Sequence, residues 1–366
     1  MENKAKKVYI AATRQNDGKT IVSLGLLSAF IEKLGSVGYI KPVGQQYKEI
    51  KEHKIDKDAI LMHDVYNLPD DYGDMSPIAV PKGFTENYIL NGDKKALEKS
   101  ILNAYKNISK NKEMVLIEGT GHAGVGSVFD LCNAEVAKLL GAKVILVSRG
   151  GIGRPIDEII LNKAKFDNVG VEILGVITNK VLPEKYEKIN KLFRMGLARK
   201  GLEVLGVIPY QQTLSSPTLG QLLEDMHGKL ICGEKGLSNS VNKIIIGAMT
   251  PHEALDYFGE GNLLITPGSR EDIILAALSG YLTGKTKAYG LSGIVLTGKI
   301  LPHKTILKLV KETDIPIISV EEDTFTVASY MHDLIVKVRA TDTEKIKATE
   351  KLVKQYVDID KILSLL

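Results

Sequence analysis

The apolar tetrad Val8-Tyr9-Ile10-Ala11 runs directly into Ala12-Thr13-Arg14-Gln15-Asn16-Asp17-Gly18-Lys19-Thr20, and a nearly unbroken apolar stretch at helical spacing follows. Strand, tight loop and helix start in that order suit a polyphosphate: loop N–H groups wrap the anion and the helix dipole favours its charge. In that setting Lys19 reaches the outer phosphate oxygens and the Thr20 hydroxyl is placed to ligate Mg²⁺. Thr13 stands where the usual pattern has its first glycine. The expected nucleotide-binding set here is Thr13, Asn16, Asp17, Gly18, Lys19, Thr20 and Ile21. A solvated turn with a chance Gly-Lys-Thr is the alternative, and the strand-loop-helix context disfavours it.

The chain's 366 residues suffice for two or three domains. A net charge of +4, with lysines scattered among glutamates, gives no basic face for nucleic acid. No apolar run reaches the roughly 18 residues of a membrane helix, and residues 1–7 have no apolar signal core behind them. A cytoplasmic chain without nucleic-acid or membrane partners is expected. Cys132 and Cys232 lie far apart without Cys or His at metal-ligand spacing, which disfavours disulfide, zinc and thiol-redox chemistry.

Short β-branched runs at 8–11, 37–40, 114–117, 144–147, 174–178 and 204–208 alternate with helical patterns at 20–34, 95–109, 134–140, 155–167 and 185–200. Runs this continuously apolar suit a parallel sheet buried on both faces, so the expected class is α/β with a doubly wound, mostly parallel sheet. Residues 44–94 read as an insertion or lid. The pattern loosens near 215–242, where Ser215-Ser216-Pro217, a short helix and a Gly-, Ser- and Asn-rich stretch at 233–242 read as a linker between a first domain at 1–214 and a smaller α/β domain at 243–366. In the latter, strands at 243–247, 262–266, 293–297 and 316–320 alternate with helices, and a last helix spans 342–356.

Ligand sites of doubly wound sheets lie past the carboxyl ends of the strands, and chemistry gathers there. Lys41 follows the second strand and can neutralise a transferring phosphoryl group or an anionic substrate, although a lone lysine is more often a surface one. Glu118 ends the third, followed by Gly119-Thr120-Gly121-His122, where a carboxylate can hold Mg²⁺ and glycines let a ligand near the backbone. A capped strand-to-helix turn is the rival there. Arg149-Gly150-Gly151-Ile152-Gly153-Arg154 suggests a second anion loop using Arg149 and Arg154, against a plain turn with solvated arginines. Asn179 and Pro209 end the fifth and sixth strands, where a base can lie along the sheet edge.

The succession Gly18-Lys19-Thr20, Gly38-Tyr39-Ile40-Lys41-Pro42-Val43, Asp58-Ala59, Val115-Leu116-Ile117-Glu118-Gly119, Gly175-Val176-Ile177-Thr178-Asn179 and Gly206-Val207-Ile208-Pro209 resembles dethiobiotin synthetase and its relatives. The resemblance implies a P-loop NTPase fold using ATP and Mg²⁺. It further implies that Thr20, Asp58 and Glu118 ligate the metal, that Lys41 acts at the γ-phosphate or acceptor, and that Asn179 reads adenine with Pro209 beside it. A homodimer with ligands near the seam, close to Arg149–Arg154, is implied as well. A closer resemblance is to the amino-terminal region of long phosphate acetyltransferases, in which such a domain precedes a DRTGG domain. Ile246-Gly247-Ala248-Met249-Thr250, Thr266-Pro267-Gly268-Ser269-Arg270-Glu271-Asp272, Gly293-Ile294-Val295-Leu296-Thr297-Gly298 and Val320-Glu321-Glu322-Asp323-Thr324 carry it. Ser269 replaces the aspartate of the DRTGG name and Lys299 its last glycine.

Two functional readings follow. As an ATP-dependent ligase or cyclo-ligase, the first domain activates a carboxylate or carbamate by phosphorylation; Thr120 and His122 alter the acceptor surface that this needs. As a sensor, it binds nucleotide and its second domain couples occupancy to a partner enzyme of acetyl-phosphate or acetyl-CoA metabolism. The two-domain order and the altered acceptor segment favour the sensor. Glutamine-dependent amidation is disfavoured by the absence of cysteine after Cys232, and acetyl transfer is not expected from a chain ending at Leu366.

Overall fold

The computed structural model describes residues 5–282, 290–334, 336 and 338–366. They divide into two compact units, Met1–Gln211 with Val338–Leu366, and Gln212–Lys337.

The first unit is built on β1 (Lys6–Ala12), β2 (Val37–Ile40), β3 (Met114–Glu118), β4 (Lys143–Arg149), β5 (Ile173–Val181) and β6 (Val204–Pro209). They are ordered β6-β5-β4-β1-β3-β2, every pairing parallel. β2, β3 and β6 are buried along their whole length, which is why they read as unbroken apolar runs. Helices α1 (Lys19–Leu34), α2 (Lys57–Tyr66), α3 (Lys94–Ile108), α4 (Asn133–Leu140), α5 (Arg154–Val169) and α6 (Tyr186–Ala198) fill the connections. The chain moves one way along the sheet from β1 to β2 and the other way from β3 to β4. Right-handed crossovers of opposite direction lie on opposite faces, so a crevice opens beyond the end of β1.

Two details differ from the sequence reading. β4 runs on to Arg149 and β5 to Val181, so Arg149 and Asn179 sit opposite each other within the ladder instead of just past it. Residues 44–94 are ordered: an antiparallel ribbon pairs Tyr47–Ile50 with His53–Asp56, α2 follows, and a helix over Phe84–Asn91 buries none of its residues.

The second unit holds α7 (Leu219–Asp225), β7 (Lys229–Cys232), β8 (Lys243–Ile246), α8 (Pro251–Ala254), β9 (Asn262–Pro267), α9 (Glu271–Leu282), β10 (Gly293–Thr297), α10 (Lys304–Lys311), β11 (Ile317–Ser319) and α11 (Thr324–Asp333). The sheet order is β7-β11-β10-β9-β8; the last four strands are parallel neighbours and β7 is antiparallel to β11. Alternation along β9 separates two cores. Leu264 packs with Ala254, Ile273 and Val310, whereas Leu263 and Ile265 pack with Leu219, Leu222 and Val327. α7 and β7 fall in the segment read as a linker. A capping box between Thr218 and Gln221 starts α7, the short helix expected in that segment, whereas the strand β7 was not expected there.

After this unit the chain returns to the first one through α12 (Thr343–Tyr356) and α13 (Ile359–Leu365), so a second domain at 243–366 is not how the chain divides. The cause lies in α1, where Val22 to Leu27, Ala29 and Phe30 are all buried. A helix apolar nearly all round needs cover on both sides. α12 packs along α1 with Val353 against Gly25, where a Cβ would come within 2.4 Å of Val353 Cβ and Cγ2. Val357 then bridges to Gly206 at the β6 edge and Asp358 N donates to Leu205 O at 2.8 Å. Lys33 pairs with Asp360 at 2.6 Å, and Lys143 Nζ donates to Leu365 O at 2.8 Å. No helix among the described residues is long and apolar enough to cross a membrane.

Candidate functional site

The loop between β1 and α1 is held from inside and outside. Within it, Asp17 Oδ2 accepts from Thr13 Oγ1 at 2.8 Å and from Arg14 N at 2.9 Å, closing a turn that Asn16, at φ 69°, and Gly18, at φ 94°, allow. Burial pushes the Asp17 carboxyl up, opposed by the Thr13 hydrogen bond and by the charges of Lys180, Lys19 and Arg149. From outside, Thr13 N donates to Val147 O at 2.8 Å and Asn162 Nδ2 donates to Thr13 O at 3.2 Å. Lys19 and Thr20 open α1, and the half-buried Ile21 follows them. This is an anion cradle by geometry: a strand end, a closed loop and the amino end of a 16-residue helix.

Beneath it lies a buried charge cluster. Thr20 Oγ1 donates to Glu118 Oε1 at 3.0 Å and Tyr39 Oη to Glu118 Oε2 at 3.1 Å. Lys41 Nζ lies 3.2 Å from Asp56 Oδ1 and 3.7 Å from Glu118 Oε1, and donates to Asp58 Oδ2. Burial alone would lower the Lys41 pKa; Asp58, Asp56 and Glu118 more than reverse that and hold it above the ordinary lysine value. Burial raises the Glu118 carboxyl, with Asp58 adding to the effect and Lys41 and Lys19 opposing it. Three carboxylates around the Lys41 ammonium leave the cluster rich in hard oxygen donors. Among the described residues no group of three or more His, Cys, Asp or Glu is arranged to hold a metal, and the cation between these carboxylates is Lys41 itself. Of the three expected metal ligands, Thr20 and Glu118 are brought together, and Asp58 is bound to Lys41.

The loop after β3 is shaped by two asparagines. Asn133 Oδ1 accepts from Tyr9 Oη at 2.8 Å and Thr120 N at 2.9 Å, and its Nδ2 donates to Thr120 O and His122 O at 2.7 and 2.6 Å. Asn162 Oδ1 accepts from Ala123 N at 2.8 Å, tying this loop to the phosphate loop. Gly119 has no room for a side chain, because a Cβ would meet Asn133 Oδ1 at 2.5 Å, and Gly121 takes φ 62°. The Thr120 hydroxyl donates to Val43 O, and His122 is exposed.

Arg149 and Arg154 make different contacts. Arg154 Nε donates to Glu158 Oε1 at 2.8 Å, an oxygen that Arg14 of the phosphate loop also engages, whereas the exposed Arg149 lies opposite Asn179 in the ladder. Asn179 reaches the phosphate loop itself, Nδ2 donating to Asp17 O at 3.1 Å. Pro209 is buried at the end of β6, in register with Val181. Tyr39, Asn133, Asn162 and Lys180 carry no local signal, since topology alone brings them to the site. Asp56 has one: it caps α2 by accepting from Asp58 N at 2.9 Å, an N-cap ahead of an apolar run.

The chain matches the AAA domain model over residues 6–218 and the DRTGG domain model over residues 221–334. It is 28% identical to a phosphate acetyltransferase of Nitratidesulfovibrio vulgaris over 365 residues, 97% of this chain and 51% of that protein. With a phosphate acetyltransferase of Synechocystis it shares 27% identity over 369 residues, 98% and 51% of the two. It spans about half the length of the curated relatives it matches. Among solved structures, a MinC:MinD cell division protein complex of Aquifex aeolicus is similar over 57% of this chain and 84% of that one, at 15% identity and TM-score 0.37. The chain belongs to the AAA domain family, its P-loop domain followed by a DRTGG domain.

Proposed function

We propose that this chain binds Mg-ATP at residues 13–20 and passes nucleotide occupancy to its second unit, as a sensor linked to phosphate acetyltransferase-type metabolism. The observation that carries the reading is the position of α1. Its amino end forms the phosphate loop, and its outer face is covered by α12, which the chain reaches only after completing the second unit. A shift of α1 on binding therefore has a covalently connected element to act on. To count as coupling, nucleotide must favour one arrangement by a definite free energy, typically ~1–3 kcal/mol.

In this reading Lys19 holds the outer phosphates, and Thr20 and Glu118, with Asp58 close by, hold Mg²⁺. Their hard-oxygen chemistry and the Thr20–Glu118 contact at 3.0 Å suit that ion, which when bound neutralises phosphate charge. Lys41 faces the γ-phosphate side, and Asn179 and Pro209 border the adenine. A homodimer with its seam near Arg149 and a partner enzyme handling acetyl phosphate or acetyl-CoA complete the proposal.

The competing ligase reading needs an acceptor beside Thr120 and His122. Titration calorimetry with ATP, ADP and GTP in Mg²⁺, followed by an ADP-release assay with 7,8-diaminopelargonate and bicarbonate, separates the two. Tight ATP binding without ADP release is the result expected. ADP formed only when a small amine or carboxylate is added overturns the sensor in favour of the ligase.

A further inference from the structure

We infer that Asn179 and Lys180, at the carboxyl end of β5, form a clasp that sets the phosphate loop's N–H groups in their binding orientation, with Lys180 as a positioning residue. The two side chains grip successive carbonyls of the loop: Lys180 Nζ donates to Asn16 O at 2.9 Å and Asn179 Nδ2 to Asp17 O at 3.1 Å. They are also locked to each other, Lys180 N donating to Asn179 Oδ1 at 2.8 Å.

The consequence follows from peptide planarity. In a trans peptide the C=O and the next N–H point in opposite directions. Drawing the Asn16 and Asp17 carbonyls toward β5 turns the N–H groups of Asp17 and Gly18 away from it, the donors an anion at the start of α1 would use. The fit is close, for a Cβ on Gly18 would meet Asn179 Nδ2 at 2.1 Å.

Lys180 takes up this role at a conformational cost. Its backbone sits at φ 59°, a region that side chains other than Asn and Asp rarely adopt, and it faces Asn16 at φ 69° across the contact. A residue chosen for the fold alone would be glycine or asparagine there. Burial and the neighbouring Arg149 charge also work against its ammonium and outweigh the favourable Asp17 charge, so neither strain nor electrostatics of the ligand-free protein explains the residue. Orienting the loop does.

The inference rests on the proposed Mg-ATP site, and two readouts keep the two apart. In Lys180→Gly the strain disappears together with the ammonium. Mg-ATP affinity by calorimetry should fall about tenfold, the worth of one charge-assisted hydrogen bond, while the melting temperature stays level or rises. In the ligand-free protein, amide exchange across residues 14–20 should quicken. Lys180→Arg, still able to donate to Asn16 O, should restore both affinity and protection to within about threefold. A Lys180→Gly protein that binds Mg-ATP within twofold of wild type, with unchanged exchange in the loop, overturns the clasp. So does a parallel loss of affinity and melting temperature that arginine fails to restore. Should wild type itself not bind Mg-ATP, the proposed function falls, and the exchange measurement alone decides whether Lys180 orders the loop.

Discussion

Replacing Lys41 by methionine isolates the electrostatics of the buried cluster. The side chain keeps nearly its length and loses the buried ammonium that pairs with Asp56, Asp58 and Glu118. Removing one partner from a buried ionic group costs about 3–5 kcal/mol, because its carboxylates lose their closest compensating charge. At roughly 2–4 °C per kcal/mol for a unit of this size, the melting temperature by circular dichroism should drop by about 6–20 °C near neutral pH. The pH dependence has a fixed sign. Because the folded Lys41 pKa is raised, its contribution is complete below the unfolded lysine value and is lost only as pH rises through the folded one; neutral pH shows it in full. In the variant, acidification protonates Glu118, whose carboxyl burial holds above its ordinary value, so the gap to wild type should narrow as pH falls below neutral. A drop below about 2 °C, or a gap that widens on acidification, refutes the reasoning.

Three further outcomes are expected. Gly25→Ala would stabilise an isolated helix by up to ~1 kcal/mol, yet here its Cβ meets Val353 at 2.4 Å, so the substitution should lower the melting temperature and speed amide exchange in 343–365; a more stable protein contradicts the packing. Glu118→Gln removes a carboxylate whose raised pKa means that its ionisation costs stability above its unfolded pKa. The ligand-free variant should therefore melt higher at neutral pH, an advantage that fades on acidification, while Mg²⁺-dependent stabilisation by ATP weakens; a lower ligand-free melting temperature contradicts it. Lys19→Ala should abolish detectable ATP binding in calorimetry, and retained micromolar affinity would place the nucleotide elsewhere.

What the sequence made legible was whatever depends on neighbours along the chain. The strand-loop-helix order around Gly18 announced the cradle, and the β-branched runs announced a sheet buried on both faces, although pairing carried β4 and β5 beyond the runs themselves. Thr20 could be named from the Gly-Lys-Thr at the start of α1 and Glu118 from its place at the end of β3, but their contact could not, since it joins residues 98 apart. The domain division was less legible. α1 is apolar nearly all round, a sign that something besides the sheet covers it, yet no local pattern says that the cover arrives from Thr343–Tyr356. Arg149 and Arg154 share a glycine-rich segment, which carries no sign that Arg154 pairs with Glu158, one turn beyond it. Lys180 was passed over because a positive φ leaves no mark in a sequence unless glycine or asparagine occupies it.

The central claim is that an ATP molecule and its Mg²⁺ sit at the amino end of α1. A crystal structure grown with a non-hydrolysable ATP analogue and Mg²⁺ tests it most directly. The expected map has the phosphates against the backbone N–H groups of residues 17–20, with Lys19 on the outer phosphate and Thr20 at the metal. Nucleotide bound at saturating concentration to some other surface, with Gly18 to Thr20 empty, would contradict the account.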